Sequence, residues 1–233
     1  MVNRVSTVGF DADDTLWHNE RSFQMTHALF AGLLADYTDR DTLMARLVAA
    51  ERRNLGHYGF GVKGFTLSMI ETAIEVTDAR VPAAVLSEIL EAGREMLSHP
   101  VDLLPHAQDA IEQIAKTHRI VLVTKGDLLD QERKLAQSGL GDLFDAVEIV
   151  SDKTPAVYHT VFNRHGDAPG RGMMVGNSMK SDVLPMIEAG GWGVYVPHEM
   201  TWELERAAAP DVTERFRAVA DLGELPGLLS DIG

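Results

Sequence analysis

A chain of 233 residues with 45% hydrophobic content can bury one large core or two modest ones. Its formal net charge of −14 argues against binding a nucleic-acid backbone or an anionic membrane; an anionic substrate would have to be met by local positive charge. The absence of cysteine excludes disulfides and thiolate chemistry and suits a reducing cytoplasm. No apolar leader precedes the first strand pattern, and no apolar run approaches the ~20 residues of a membrane span. A soluble, cytoplasmic protein is expected.

The first predicted element is a strand within VSTVGFDADDTLWH, residues 5 to 18. The apolar residues Val5, Val8 and Phe10 stop abruptly at Asp11, Asp13, Asp14 and Thr15, the pattern of a buried strand that delivers polar residues to the carboxyl edge of a sheet. That edge is where open α/β sheets bind ligands. Two ionised carboxylates about 4 Å apart, at an effective dielectric near 20, repel by roughly 4 kcal/mol. Asp11 and Asp13, separated by one residue, therefore call for a cation, a shared proton, or both. A calcium loop would need glycine and glutamate where Leu16 and Ser22 stand, so that alternative fails.

From Trp17 the pattern turns helical for nearly ninety residues. Phe23, His27, Phe30, Leu34 and Tyr37 recur at helical spacing, and a second helix from Asp41 is expected to end at Arg52 and Arg53. GHYGFGVKGF, residues 56 to 65, holds four glycines and reads as a loop; its spacing fits neither common nucleotide-binding glycine motif. Helical periodicity resumes at Leu67, Ile70 and Ile74, and again from Pro82 through Leu90. Pro100 and Pro105 then make a hinge.

Beyond the hinge, helices and strands alternate. A helix near 106–118 precedes the run Ile120-Val121-Leu122-Val123, which suits a strand covered on both faces and ends at Thr124-Lys125-Gly126-Asp127. A helix with Leu128 and Leu135 stops near Gly139 and Gly141. A third strand, Ala146 to Val150, leads to Lys153, and Thr154 followed by Pro155 marks a helix start. A fourth strand, Met173 to Val175, delivers Gly176-Asn177-Ser178-Met179-Lys180-Ser181-Asp182, and a fifth is expected at Val194 to Val196. The segment after Pro197 carries no legible motif. Strands separated by helices predict an α/β fold: a parallel, Rossmann-like sheet with helices on both faces, interrupted by an all-helical insert. The expected boundaries are 1–16 and 105–233 for the sheet domain and 17–104 for the insert.

DADDTL resembles the D-x-D-x-T-L signature of the haloacid dehalogenase-like hydrolases, and the helical insert resembles the α-helical cap carried by the phosphatases of that superfamily. The resemblance implies an Mg²⁺-dependent phosphatase acting on a small phosphorylated metabolite. In it Asp11 would attack phosphorus to form an aspartyl-phosphate, and Asp13 would be the general acid and base. Carboxylate crowding is expected to raise the Asp13 pKa. Thr124 matches the hydroxyl residue that binds the phosphoryl oxygens, and Lys153 the lysine that neutralises them. Asp11, the Asp13 carbonyl, Asn177 and Asp182 would be the metal positions. Asn177 departs from the pattern, which has aspartate there; its neutrality predicts weaker Mg²⁺ binding. Candidate substrate contacts are Trp17, His18, His57, Tyr58, Lys63 and Lys125, with Lys63 placed to meet an anionic leaving group.

Two rival readings remain open. A 2-haloacid dehalogenase uses the same fold without a metal, but Asp13 would repel the substrate carboxylate. A non-catalytic phosphoacceptor module would also combine acidic residues, a threonine and a lysine on a parallel sheet. Such modules are about half this length and lack the insert, and Asn177 is the one feature in favour.

Overall fold

The computed structural model describes residues 4–210 and 214–232. In chain order the principal elements are β1 (Thr7–Phe10), α1 (Glu20–Leu33), α2 (Arg40–Tyr58), α3 (Val62–Val76), α4 (Ala83–Ser98), α5 (Ala107–Ile114), β2 (Arg119–Lys125) and α6 (Leu128–Ser138). They continue as β3 (Ala146–Val150), α7 (Pro155–His165), β4 (Gly172–Gly176), α8 (Leu184–Glu188), β5 (Trp192–Tyr195), β6 (Phe216–Ala218) and α9 (Leu225–Ile232). The chain divides into two compact units. One holds the chain up to Glu20, Val101–Lys125 and the chain from Gln131 on; the other holds Arg21–Pro100 and Gly126–Asp130.

The first unit is built on one parallel sheet in the order β3-β2-β1-β4-β5-β6. Successive strands step outward from β1 to β3, then return to the other side of β1 with β4. The β1/β4 boundary is therefore the topological switch point, where ligands bind in open α/β sheets. Phe10 is in register with Leu122 on one side and Val175 on the other; β1 stops at this level, whereas β4 runs on to Gly176 and β2 to Lys125. Side-chain alternation splits the core into two layers. Ile120, Leu122, Met173 and Val175 pack with Phe10, Ile111 and Leu225 on one face, while Val121, Val123 and Met174 pack with Tyr158, Phe162 and Met186 on the other. Helices on both faces explain why β2 reads as an unbroken apolar run.

The second unit is helical, with a core of Phe30, Leu34, Leu43, Leu47, Phe65, Met69, Ile89 and Met96. Here two sequence readings need correction. The second helix does not end at Arg53 but runs through Gly56 to Tyr58. The glycine-rich loop contracts to Gly59–Gly61, because Gly56 and Gly64 lie inside helices. Of the four glycines in this stretch, Gly59 (φ 73°) and Gly61 (φ 115°) adopt backbone that other residues resist. The sheet also gains β6, in register with β5 from Gly193↔Phe216 to Tyr195↔Ala218, where the sequence offered no strand signal beyond three residues.

Candidate active site

The turn after β1 carries the DADDTL residues. Asp14 takes left-handed backbone (φ 59°), which lets the chain reverse while Leu16 N–H donates back to the Ala12 carbonyl. Asp11 stands at the strand end and is buried. Its carboxylate accepts from the Thr15 hydroxyl at 3.0 Å and from the Lys153 ammonium. Lys153 is delivered from beyond β3, just ahead of α7, whose first turn is capped by the Thr154 hydroxyl accepting from Val157 N–H. The same ammonium reaches Asp182 at 2.7 Å. Thr124, at the end of β2, is buried one strand away from Asp11.

After β4 the chain winds as a π-turn, Met179–Val183, that returns Asp182 to the site. Asp182 is fully buried, and its second oxygen accepts from Ser178 N–H at 2.9 Å. Gly176 makes this possible, since a Cβ there would lie 2.2 Å from the Asp182 carboxylate. Asn177 turns its amide oxygen toward the Thr15 hydroxyl at 3.4 Å, and its own N–H donates to that hydroxyl at 3.0 Å.

One ammonium thus serves two buried carboxylates. Burial opposes the charge on Lys153, yet Asp11 and then Asp182 hold its pKa above the ordinary lysine range. Burial and the neighbouring Asp11 charge push Asp182 up to about 7, against the pull of Lys153. Negative charge at this point exceeds the positive charge available to it. Among the described residues, no three His, Asp or Glu side chains converge as a metal cluster. A cation would instead draw on one Asp11 oxygen, the Asp13 carbonyl and the Asn177 amide oxygen, with Asp182 behind them. An all-oxygen set of this kind, with waters completing it, fits Mg²⁺.

Haloacid dehalogenase-like hydrolases are the family whose model matches this chain, over residues 5–190. The chain belongs to that family. The hydrolase is 43% identical to a solved haloacid dehalogenase-like family hydrolase from Xanthomonas campestris, with 98% of this chain and 91% of that one covered at a TM-score of 0.88. At 18% identity it shares the fold of the HAD-hydrolase YfnB from Bacillus subtilis, solved bound to magnesium (97% and 99% covered, TM-score 0.66). It shares it equally with the L-2-haloacid dehalogenase of Xanthobacter autotrophicus, solved with chloropropionic acid covalently bound (18% identity, 98% and 100% covered, TM-score 0.69). No protein of curated function matches it.

In this hydrolase Asp13 departs from expectation. Its carboxylate sits in a nest of donors: Trp17 Nε1 at 2.7 Å, Gln131 Nε2 at 2.8 Å, and Lys134 Nζ at 3.0 and 3.2 Å from its two oxygens. Burial pushes the Asp13 pKa up, but Lys134, Gln131 and Trp17 outweigh it and hold the pKa below the ordinary carboxylate range. The expected rise from carboxylate crowding is therefore corrected, and the reason is a lysine that the sequence reading did not single out. Gln131 and Lys134 lie three residues apart on one face of α6.

The candidate substrate contacts fare unequally. Trp17 is only 1% exposed and its ring N–H is committed to Asp13, so it is a core residue and not a contact. His18 faces the ring of His198, with centroids 5.8 Å apart. Lys125 does not project as a solvated cation: its ammonium donates to Glu205 and, at 2.8 Å, to the Ser181 hydroxyl. In the helical unit His57 is exposed in the last turn of α2, and the Tyr58 hydroxyl donates to Glu71 at 3.0 Å. Lys63 is half exposed, with its ammonium 3.4 Å from Asp127 and its N–H donating to the same carboxylate at 3.1 Å. Among the described residues no helix is long and apolar enough to cross a membrane.

Proposed function

We propose that the protein is an Mg²⁺-dependent phosphomonoester hydrolase acting on a small phosphorylated metabolite through an aspartyl-phosphate on Asp11. The observation that carries this reading is the pairing of a buried, lysine-bound Asp11 with a second carboxylate, Asp13, two residues on and anchored beside it. A carboxylate oxygen of Asp11 attacks phosphorus and the bond to the departing alkoxide breaks. Lys153 and the Thr124 hydroxyl offset and orient the phosphoryl oxygens. Asp13, ionised at rest, takes up a proton as the anionic substrate binds beside it and passes that proton to the departing oxygen; Lys134 is the cation adjacent to this carboxylate. In the second half Asp13 takes a proton from water as the water oxygen attacks phosphorus, releasing Asp11 and inorganic phosphate. A bound Mg²⁺ would neutralise charge on the phosphoryl oxygens. Asn177, the Asp13 carbonyl and Asp11 would hold it, while Asp182, with both oxygens engaged, would support it by charge. The helical unit would serve as the cap that sets substrate choice.

Asp13 also disfavours the dehalogenase reading, because an ionised carboxylate beside the nucleophile opposes a substrate that is itself a carboxylate. Incubation with p-nitrophenyl phosphate tests the proposal: turnover that requires Mg²⁺ and is abolished in Asp11→Asn is expected. Metal-independent chloride release from chloroacetate without phosphatase activity would replace it with the dehalogenase. Stable phosphorylation without turnover would favour a phosphoacceptor module.

A further inference from the structure

The π-turn at Met179–Val183 is short, rare in kind, and placed where such windings usually serve function. Its start is fixed from within by Ser178, whose hydroxyl accepts from Ser181 N–H at 3.0 Å and whose N–H binds Asp182. What fixes Ser178 and Ser181 lies elsewhere in the chain. Beyond β5, Glu203–Glu205 forms a single 3-10 turn. Glu205 brings one carboxylate oxygen to both serine hydroxyls, each at 2.6 Å, and its other oxygen to the Lys125 ammonium at the end of β2. Lys180, inside the π-turn, donates to the Leu204 carbonyl at 2.7 Å. The Glu205 side chain is only 13% exposed, and although burial opposes its charge, Lys125, Ser178 and Ser181 hold it below the ordinary glutamate range. A buried anion with three committed donors is a rigid fixture.

We propose that Glu205 is a positioning residue for the cation site. By binding Ser178, Ser181 and Lys125 together it holds the π-turn in the winding that presents Asn177 and backs it with Asp182. This rests on the reading of Asn177 and Asp11 as cation ligands, and it gives the segment after β5 a role in metal affinity that none of its own residues performs by contact. It also explains why Lys125, at the end of β2, is engaged by protein. Its charge balances Glu205, so that the clamp brings no net negative charge to the site.

Partners that orient metal ligands typically govern affinity by about 10–100-fold. Mg²⁺ titrated calorimetrically into wild type, Glu205→Ala, Glu205→Gln and Ser181→Ala, with the unfolding temperature of each measured without Mg²⁺, tests the proposal. Glu205→Ala is expected to weaken Mg²⁺ binding at least about tenfold. Glu205→Gln, which keeps one acceptor oxygen, should lie between it and wild type, and Ser181→Ala should show the smallest loss. The Mg²⁺ concentration giving half-maximal hydrolysis of p-nitrophenyl phosphate should rise in the same order. A variant that unfolds at lower temperature yet binds Mg²⁺ as wild type does would overturn the proposal, because a merely structural role predicts that result. Should Glu205→Ala fail to fold, Glu205→Gln and Ser181→Ala decide by the same criterion. Wild type that binds no Mg²⁺ would sink the cation reading itself, before any variant is compared.

Discussion

Asp13 shows how far one neighbour can move a carboxylate. Burial alone would raise its pKa; the Lys134 ammonium against both oxygens, with Gln131 and Trp17, holds it below the ordinary carboxylate range instead. Lys134→Met leaves the carboxylate with Trp17 and Gln131, both neutral donors, and without its cation. Because general acid and base groups contribute about 10²–10⁴-fold, kcat/KM for an alkyl phosphate should fall at least about tenfold in this variant. The fall should be smaller for p-nitrophenyl phosphate, whose leaving group needs less protonation; steady-state kinetics on both substrates check it, and equal losses would mean that Lys134 does not act through Asp13. The residues legible in sequence were those whose signal is local: a carboxylate, threonine or lysine where an apolar run stops. Lys134 and Glu205 were not, because Lys134 meets Asp13 across 121 positions and Glu205 meets Lys125 across 80. Each looks, in its own neighbourhood, like a charge on a solvated helix or loop.

Among the elements, those with strong edges were read well. Thr154 and Pro155 marked the start of α7, and Ala146 to Val150 is β3 as expected. Glycine misled where it occurs inside helices: Gly64 sits where a Cβ would be 2.9 Å from the Gly59 carbonyl, so its role is close packing of α3 against the end of α2. Three-residue β6 has too few positions for alternation to show, and it exists because β5 offers it a partner. Gly176 is the glycine on which the site depends. Gly176→Ala places a methyl group inside the Asp182 carboxylate, and fixed backbone at β4 leaves the π-turn as the part that must shift. The fold should survive with a loss of stability of about 1–3 kcal/mol. Phosphatase activity should fall by at least about a hundredfold, since small displacements at a reacting centre carry losses of that order. Thermal unfolding and p-nitrophenyl phosphate turnover on the same sample separate the two effects.

For the whole molecule, a formal charge of −14 makes acid behaviour informative. Asp14 is buried beneath the β1 turn, accepting from the N–H groups of Asn19 and Glu20. Burial raises its pKa from 3.8 to about 6, despite those bonds and the nearby His198. A carboxyl whose pKa is raised on folding destabilises the native state progressively as pH rises from 3.8 to about 6, and by a constant amount above that. The penalty amounts to at most about 3 kcal/mol. Asp14→Asn keeps one acceptor oxygen and removes the titration. Its stability relative to wild type should therefore climb between pH 4 and 6 and then level off, as chemical denaturation at a series of pH values would show.

The division of the chain also bears on how this hydrolase can be rebuilt. The helical unit is spliced between β1 and β2, so its exchange for another insert would leave every strand uncut. Yet Gly126–Asp130 belongs with it, and Asp127 grips both the backbone and the ammonium of Lys63. A chimera that transplants Arg21–Pro100 alone would sever that grip, whereas one that carries the five downstream residues as well would bring its own anchor.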